Sequence, residues 1–193
     1  MGKKIALTRI QKLIGQRMLY SKRTKPCFYV ESDVDVTELM ALRPKLRKSL
    51  GVKVTTNAFY ICALARAVVE YPLTVGRLEG DHIRIADSVN IGFAVQAPQG
   101  LVVPVVKEAH KRTLAAIAVL EKELTEKARD NKLTLDEMEG ETIALSNLGA
   151  YDIDSFIGIV PPPASTILSV GNAVRRLVPI NGEPVSRKVV TMT

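Results

Sequence analysis

Cysteine is scarce in this sequence: Cys27 and Cys62 are the only two in 193 residues. Two are too few for a disulfide framework, and their spacing is not that of a metal site, so a reducing, cytoplasmic setting is expected and no metal is. Long apolar runs are missing as well. A bilayer span needs about 18 apolar residues, whereas Arg66 and Glu70 interrupt 58–71 and Pro161, Pro162 and Pro163 interrupt 156–171. The opening MGKKIALTRI lacks the apolar stretch and cleavage site of a secretory leader. A soluble chain with no membrane partner is expected.

The usual chemical signatures are absent too. The sequence contains no GxxxxGK[ST] loop, no GxGxxG after a strand, no HExxH and no GxSxG. Histidine is limited to His82 and His110. His82 sits beside the Gly80-Asp81 turn and His110 in a charged connection before a helix, both places where a solvated histidine is the plainer reading. Neither has a carboxylate four residues on, since Ala86 and Leu114 stand there. Asp33 and Asp35 share one side of a strand, but Glu31 shares it with them, so a solvated face explains them more simply than acid–base catalysis.

What is present describes a packed protein: 47% hydrophobic and 24% charged residues with a net charge of +7. The charge is uneven. Lys3, Lys4, Arg9, Lys12, Arg17, Lys22, Arg23 and Lys25 all precede the first acid, Glu31. Such a block either attracts polyanions (nucleic acid, a phosphorylated cofactor, an acidic protein face) or is a solvated helix and arm. Nucleic acid is disfavoured, because no aromatic residue interleaves with the charges before Tyr20 and no binding motif is visible.

The periodicity predicts alternating elements. Residues 9–21 carry Ile10, Leu13, Ile14, Arg17 and Met18 at helical spacing, and 28–36 alternates as a half-buried strand. Asp35 is expected to cap a helix that turns Leu39, Leu42 and Leu46 inward, kinks at Pro44 and stops before Gly51. A second helix over 56–71, ended by Pro72, is expected to bury Phe59, Cys62, Leu64, Ala65, Val68 and Val69. Strands at 75–79, 82–86, 89–96 and 101–106 read as an antiparallel meander. Helix 113–130 carries Leu114, Ile117, Leu120 or Glu121, Leu124 and Ala128 on one stripe, with Glu123 paired to Lys127 outside. Strands near 142–146, 165–171, 173–178 and 185–193 complete a mixed sheet. No repeat or linker divides the chain, so one α/β (α+β) domain over 1–193 is expected, a two-layer sandwich of sheet and helices.

Several segments carry a resemblance. RIQKLIGQRM at 9–18, FYVESDVDVTELMALR at 28–43, GVKVTTNAF at 51–59, VNIGFAVQAPQGLVVPVVK at 89–107, KLTLDEMEGETIALSNLG at 132–149 and PPPASTILSVG at 161–171 are similar, in order and spacing, to the catalytic core of dihydrolipoamide acyltransferases. These are the E2 components of 2-oxo acid dehydrogenase complexes. The resemblance implies a chloramphenicol-acetyltransferase-like fold and homotrimers that build a cubic 24-mer or dodecahedral 60-mer core. It implies an acyl group moved between dihydrolipoamide and coenzyme A through a channel between subunits, in the cytoplasm of a prokaryote or the mitochondrial matrix of a eukaryote. The lipoyl group comes from a separate domain, and the E1 and E3 enzymes bind through domains that these residues do not include.

By residue type alone, Ser146, Asn147 and Gly149 read as a turn at a strand end. The resemblance gives Ser146 a role as donor to the tetrahedral oxyanion and places Asn147 at a coenzyme A contact. It assigns Arg43, Thr55, Gln96 and Gly171 to the coenzyme A site as well: a cation for phosphates, polar partners for pantetheine, and a glycine where backbone approaches closely. The pattern also departs. Cys27 follows Pro26 where the family often has histidine, and Asp152 stands where glycine is common; both either alter access or are tolerated.

The family's thiol-activating histidine lies in a [DN]HRxxDG segment beyond the strand matched by RKVVTMT at 187–193, and no HRxxDG occurs in the 193 residues. The expectation is a core lacking that C-terminal segment, either an acyltransferase of weak activity or a non-catalytic trimeric scaffold. A thiol of pKa about 8–9 is only partly ionised at neutral pH, and loss of a positioned base typically costs about 10²–10⁴-fold. Purified protein should therefore transfer acetyl from acetyl-CoA to dihydrolipoamide at least about 10²-fold more slowly than a chain extended through the histidine segment. A thiol-release assay on the two preparations decides it, and equal rates would refute the expectation.

Overall fold

The apolar residues at 143–145 become the middle of a sheet. The computed structural model describes residue 2 and residues 4–193, with the side chain of Ile10 outside the description; Lys3 of the basic block and the side-chain placement of Ile10 thus lie outside the described residues. In chain order the elements are α1 (Arg9–Thr24), β1 (Ser32–Asp35), α2 (Thr37–Leu50), α3 (Thr56–Glu70), β2 (Arg77–Glu79), β3 (His82–Arg84), β4 (Ile91–Phe93), β5 (Val95–Ala97), β6 (Gly100–Val102), β7 (Val105–Val106), α4 (Leu114–Arg129), β8 (Ile143–Asn147), β9 (Thr166–Ile180) and β10 (Glu183–Met192).

Six strands form one mixed sheet in the order β1-β10-β9-β8-β4-β7. β8 runs parallel to both neighbours, with Leu145 opposite Phe93 on β4 and Leu168 on β9, while the remaining pairs are antiparallel. A strand with parallel partners on both sides is expected to be apolar, and Ile143, Ala144 and Leu145 are all buried. Helix α3 packs on β4 and β8, and α4 packs on α3, β5 and β7. Phe93, Ile91, Ile61, Ile117, Leu145 and Val170 are fully buried where these layers meet. Side chains of this size each contribute about 1.5–3 kcal/mol when removed from water. The mixed sheet with helices is the α/β architecture expected from the alternation of patterns.

Several details differ from expectation. There is no meander among the described residues. β4 and β7 pair inside the main sheet, whereas β2–β3 and β5–β6 are separate two-stranded ribbons. Short polar turns suggested consecutive pairing, but β4 is claimed by β8, and β5 turns aside onto α4. The strand over 28–36 is only four residues long and exposed throughout, with Phe28 88% accessible. It is the sheet's edge, with β10 on one side alone. Asp33 accepts from Thr191 and pairs with Arg176, Asp35 pairs with Arg187, and Glu31 accepts from Thr193. These acids therefore tie the edge strand down rather than merely meeting solvent.

Other departures follow from where helix faces point. Asp35 Oδ1 accepts the Thr37 amide at 2.9 Å, although Val36 holds the capping position itself. α2 runs through Pro44 to a left-handed Gly51 (φ 68°) and buries no residue fully; Leu42 is 44% accessible. On α3, Val69 is 60% accessible, and Tyr60 and Ile61 are buried instead, while Cys62 is half-buried against the core and Cys27 exposed. Lys127 reaches Glu137 rather than Glu123. The two segments 165–171 and 173–178 merge into the single strand β9.

The basic block divides by task. Arg17 pairs with the buried Glu141 at 3.2 Å and donates to the Pro162 carbonyl, and Lys25 donates to the Ala164 carbonyl. With Ser21 donating to the Val160 carbonyl at 2.6 Å, these contacts fasten α1 to the body. Lys4, Arg9, Lys12, Lys22 and Arg23 remain exposed. No helix among the described residues is long and apolar enough to cross a membrane.

Gly171, in β9, has no room for a side chain. A Cβ there would lie 1.8 Å from the Asp154 carbonyl oxygen and 3.0 Å from that of Ile153. Both are backbone atoms, and the Asn172 amide holds the segment by donating to the Ile153 carbonyl at 2.7 Å. Gly171→Ala should therefore destabilise the protein by about 1–3 kcal/mol or more, in the manner of an overpacked core. Thermal melts would show it as a lowered Tm; an unchanged Tm would mean that the 148–154 segment moves freely.

Candidate functional site

β8 ends beside the first third of the longer β9: Ser146 lies opposite Ser169 and Asn147 opposite Val170. The chain leaves β8 through Leu148, whose amide donates to the Val170 carbonyl at 3.0 Å, and the 148–154 segment folds back over Gly171. Asp152 turns this segment in the left-handed region (φ 57°), where glycine is the easiest residue and aspartate one of the better substitutes. Its Oδ1 accepts from Asn172 Nδ2 at 2.9 Å. Asp152 is thus accommodated where the resemblance leads one to expect glycine.

Ser146 is half-buried, and among the described residues its hydroxyl has no hydrogen-bond partner in the protein. Asn147 beside it is engaged at both ends. Its Oδ1 accepts the Gly149 amide at 2.9 Å, and its Nδ2 donates to Asn57 Oδ1 at 2.8 Å. Asn57 belongs to the first turn of α3, which Thr55 caps by accepting the Ala58 amide at 3.0 Å. The Thr55 hydroxyl in turn donates to Glu121 Oε2 at 3.1 Å. Arg43 reaches the same corner from α2, its Nε donating to the Val54 carbonyl at 3.3 Å; it forms no ion pair among the described residues.

Five of the six residues singled out in the sequence thus lie around one corner of the sheet: Ser146 and Asn147 at the end of β8, Gly171 within β9, Thr55 at the start of α3, and Arg43 reaching in from α2. Gln96 is less engaged. It is exposed on β5 opposite Leu101, three residues past Phe93, and its side chain bonds to none of the others. Sequence reasoning missed Asn57 and Glu121. Asn57 was visible only as part of the GVKVTTNAF segment, and Glu121 only as an alternative to Leu120 on the stripe of α4.

Glu121 is 6% accessible. Burial pushes its carboxyl above the ordinary range, opposed by hydrogen bonds from Thr55 and Asn57 and by the positive charges of Arg129 and Lys53. His82 is exposed on the β2–β3 hairpin beside Asp81. His110 is half-buried rather than solvated, with its Nδ1 lacking a partner. It lies beyond β7, two strands from β8, and neither histidine approaches Ser146 through any hydrogen bond or strand pairing. Among the described residues no group of three or more His, Cys, Asp or Glu side chains stands where it holds a metal ion.

A groove of about 1030 Å³ opens at another place on the surface, between the end of α1, the 26–30 segment, α3 and the start of β9. None of the six candidate residues lines it, although Ser169, the neighbour of Ser146 across the ladder, does.

Comparison with known proteins bears on this corner. Residues 2–193 match the family model described as 2-oxoacid dehydrogenases acyltransferase (catalytic domain). The chain is 36% identical over 188 residues to the dihydrolipoyllysine-residue acetyltransferase component of the pyruvate dehydrogenase complex of Rickettsia felis, covering 95% of this chain and 46% of that protein. It therefore spans about half the length of the curated relative. Two solved structures superpose with TM-score 0.95 at 29% identity, covering all of this chain and 81% of theirs. One is the Azotobacter vinelandii dihydrolipoamide acetyltransferase, studied for the role of a serine, a histidine and an asparagine in its catalytic mechanism; the other is the cubic core of a pyruvate dehydrogenase multienzyme complex. A chloramphenicol acetyltransferase, 16% identical with TM-score 0.55, shares the fold.

Because the folded state holds the Glu121 proton more tightly than an unfolded chain does, stability should fall as pH rises from the ordinary carboxylate range through the raised folded value, and stay lower above it. Glu121→Gln keeps an acceptor for Thr55 without the charge. In melts between about pH 4 and pH 8 the variant should lose this part of the decline and be at least as stable as the parent at the upper end. Parallel curves for the two proteins would show that Glu121 is not buried as a titrating group.

Proposed function

The chain belongs to the 2-oxoacid dehydrogenase acyltransferase family, and from that membership we propose that its 193 residues fold as one domain that transfers an acyl group between dihydrolipoamide and coenzyme A in a 2-oxo acid dehydrogenase complex. The observation that carries the reading is the unspent hydroxyl of Ser146 at the end of β8, half-buried between Asn147 and the Gly171 backbone corner. Attack of a thiolate on a thioester carbonyl forms a tetrahedral oxyanion. A donor with no competing partner in the protein costs nothing to redirect toward that charge as it develops.

The surrounding groups suit an acyl-CoA, which enters as substrate. Arg43 uses only its Nε on the protein, leaving the rest of its guanidinium fork for phosphate oxygens. Thr55 and Asn147 retain hydrogen-bonding capacity for the pantetheine amides. Gly171 lets the backbone close the corner, and Gln96 on exposed β5 is a further contact.

The cubic core formed by one relative supports assembly of this domain into a multimeric core, which we read as built from homotrimers into a 24-mer or 60-mer, with E1 and E3 engaged through other domains. A lipoyl domain brings the second substrate. Relatives from bacteria and mitochondria support a cytoplasmic or matrix setting.

A second reading, a non-catalytic trimeric scaffold, is favoured by one observation: within these residues no histidine stands near Ser146. The two readings part on Ser146. In a preparation that includes the histidine segment, Ser146→Ala should lower kcat by about 10²–10³ while leaving KM for acetyl-CoA within a few-fold, because the hydroxyl acts on charge that exists only in the transition state. Steady-state kinetics of acetyl transfer measure both. An unchanged kcat removes the serine from the mechanism, and absence of any transfer in the parent leaves the scaffold.

A further inference from the structure

The hydrogen bonds behind the candidate site each have a fixed sense. The Gly149 amide donates to Asn147 Oδ1, and Asn147 Nδ2 donates to Asn57 Oδ1. The Thr55 hydroxyl donates to Glu121 Oε2 at 3.1 Å, and Asn57 is a neighbour that favours the charged form of the Glu121 carboxyl. A carboxylate accepts and cannot donate, so it fixes the sense of the Thr55 hydroxyl, while the Gly149 amide fixes that of Asn147.

We propose that Glu121 is a positioning residue of the coenzyme site: its buried carboxylate is the acceptor that takes the Thr55 hydrogen and so makes Thr55 meet the coenzyme as an acceptor. The inference rests on the coenzyme A reading given above. The bookkeeping of protons and lone pairs gives its content. The single Thr55 hydrogen goes to Glu121, and one lone pair takes the Ala58 amide. What Thr55 has left is one lone pair, which suits an amide N–H of pantetheine and repels a phosphate oxygen. Asn147 has spent one N–H on Asn57 and its carbonyl on Gly149, so the N–H it has left suits a pantetheine carbonyl. The corner is therefore built for the amide portion of the coenzyme, with Arg43 left for the phosphates.

Glu121 sits on α4, one helix away from the site, and touches no substrate in this arrangement. Its effect passes to the site by way of Thr55. The charged groups that face it are Lys53, just before α3, and Arg129, on its own helix. A glutamine at this position supplies both a donor and an acceptor. With the glutamine NH₂ turned to Thr55, the hydroxyl must accept from it, and the freed hydrogen then meets the coenzyme as a donor.

Two measurements test this on the 193-residue protein and its Glu121→Gln variant. The first is the side-chain carboxamide ¹H–¹⁵N spectrum without ligand. The Asn57 signal should shift as Glu121 titrates in the parent, and should shift on substitution and stop titrating in the variant, while the melting temperature is not lowered. An Asn57 signal that ignores both pH and substitution overturns the proposal.

The second measurement is calorimetric binding of coenzyme A. Loss of one correctly sensed hydrogen bond to a charge-supported group should raise Kd by about tenfold or more. Desulfo-coenzyme A, which keeps the amides, should show the same loss, whereas 3′,5′-ADP, which lacks them, should bind both proteins equally. If the parent binds coenzyme A and the variant binds it within twofold, the proposal fails and the coenzyme site stands. If the parent does not bind coenzyme A, the coenzyme reading fails and the proposal falls with it.

Discussion

No side chain fits at residue 171, because the backbone of the 148–154 segment occupies the space that one would need. The rest of the site follows from that exclusion. With the segment seated on β9, the chain leaving β8 must turn sharply, and the turn is held by Asn147 accepting the Gly149 amide. Asn147 is thereby brought within reach of Asn57, and the end of the sheet is joined to the start of α3. A bulkier residue on β9 would lift the segment and separate the groups that now meet. The free hydroxyl of Ser146 stands one residue before that turn, opposite Ser169 on β9.

The corner also shows how polar groups are kept inside without orphaned partners. The Thr55 hydroxyl, the Asn57 carboxamide and the Glu121 carboxylate lie between two helices, where an unpaired polar group costs about 1–3 kcal/mol. Each finds a partner in the next, and the carboxylate has donors from two sides. Glu141, the other buried acid, is managed differently. It has one partly exposed partner, Arg17 at 3.2 Å, and an Oε2 with none. The contrast is between an acid that organises neighbours and one that anchors a helix.

Much of this was legible in the residues. Helical periodicity located α1, α3 and α4 closely, since their apolar faces repeat at the helical period and Thr55, Thr113 and Pro72 mark their ends. The apolar run before Ser146 marked a strand near 142–146, and the structure buries Ile143, Ala144 and Leu145 in it. What failed was pairing. Nothing local in 89–106 says that β4 lies beside β8 some fifty residues later, so the turns at 98–100 and 80–81 suggested a meander that tertiary contacts override. Edge exposure failed for the same reason: alternation in 28–36 predicts a half-buried strand only when something covers it. For the site, the resemblance supplied Ser146, Asn147, Arg43, Thr55, Gln96 and Gly171, and the structure brings all but Gln96 into one network or corner. Glu121 was hidden by its type, because an acid on an amphipathic helix reads as solvent-facing until the helix facing it is known.

β8 is parallel to β4 on one side and to β9 on the other, and neither neighbour reaches it through a short hairpin. The β9–β10 ribbon and the β4–β7 pair each close through nearby chain, but Ser146 and Asn147 belong to neither. Their surroundings come from two seams, one with β4 and one with β9, that no short hairpin closes. No single hairpin of the sheet therefore contains this corner, and a defect in either seam reaches it.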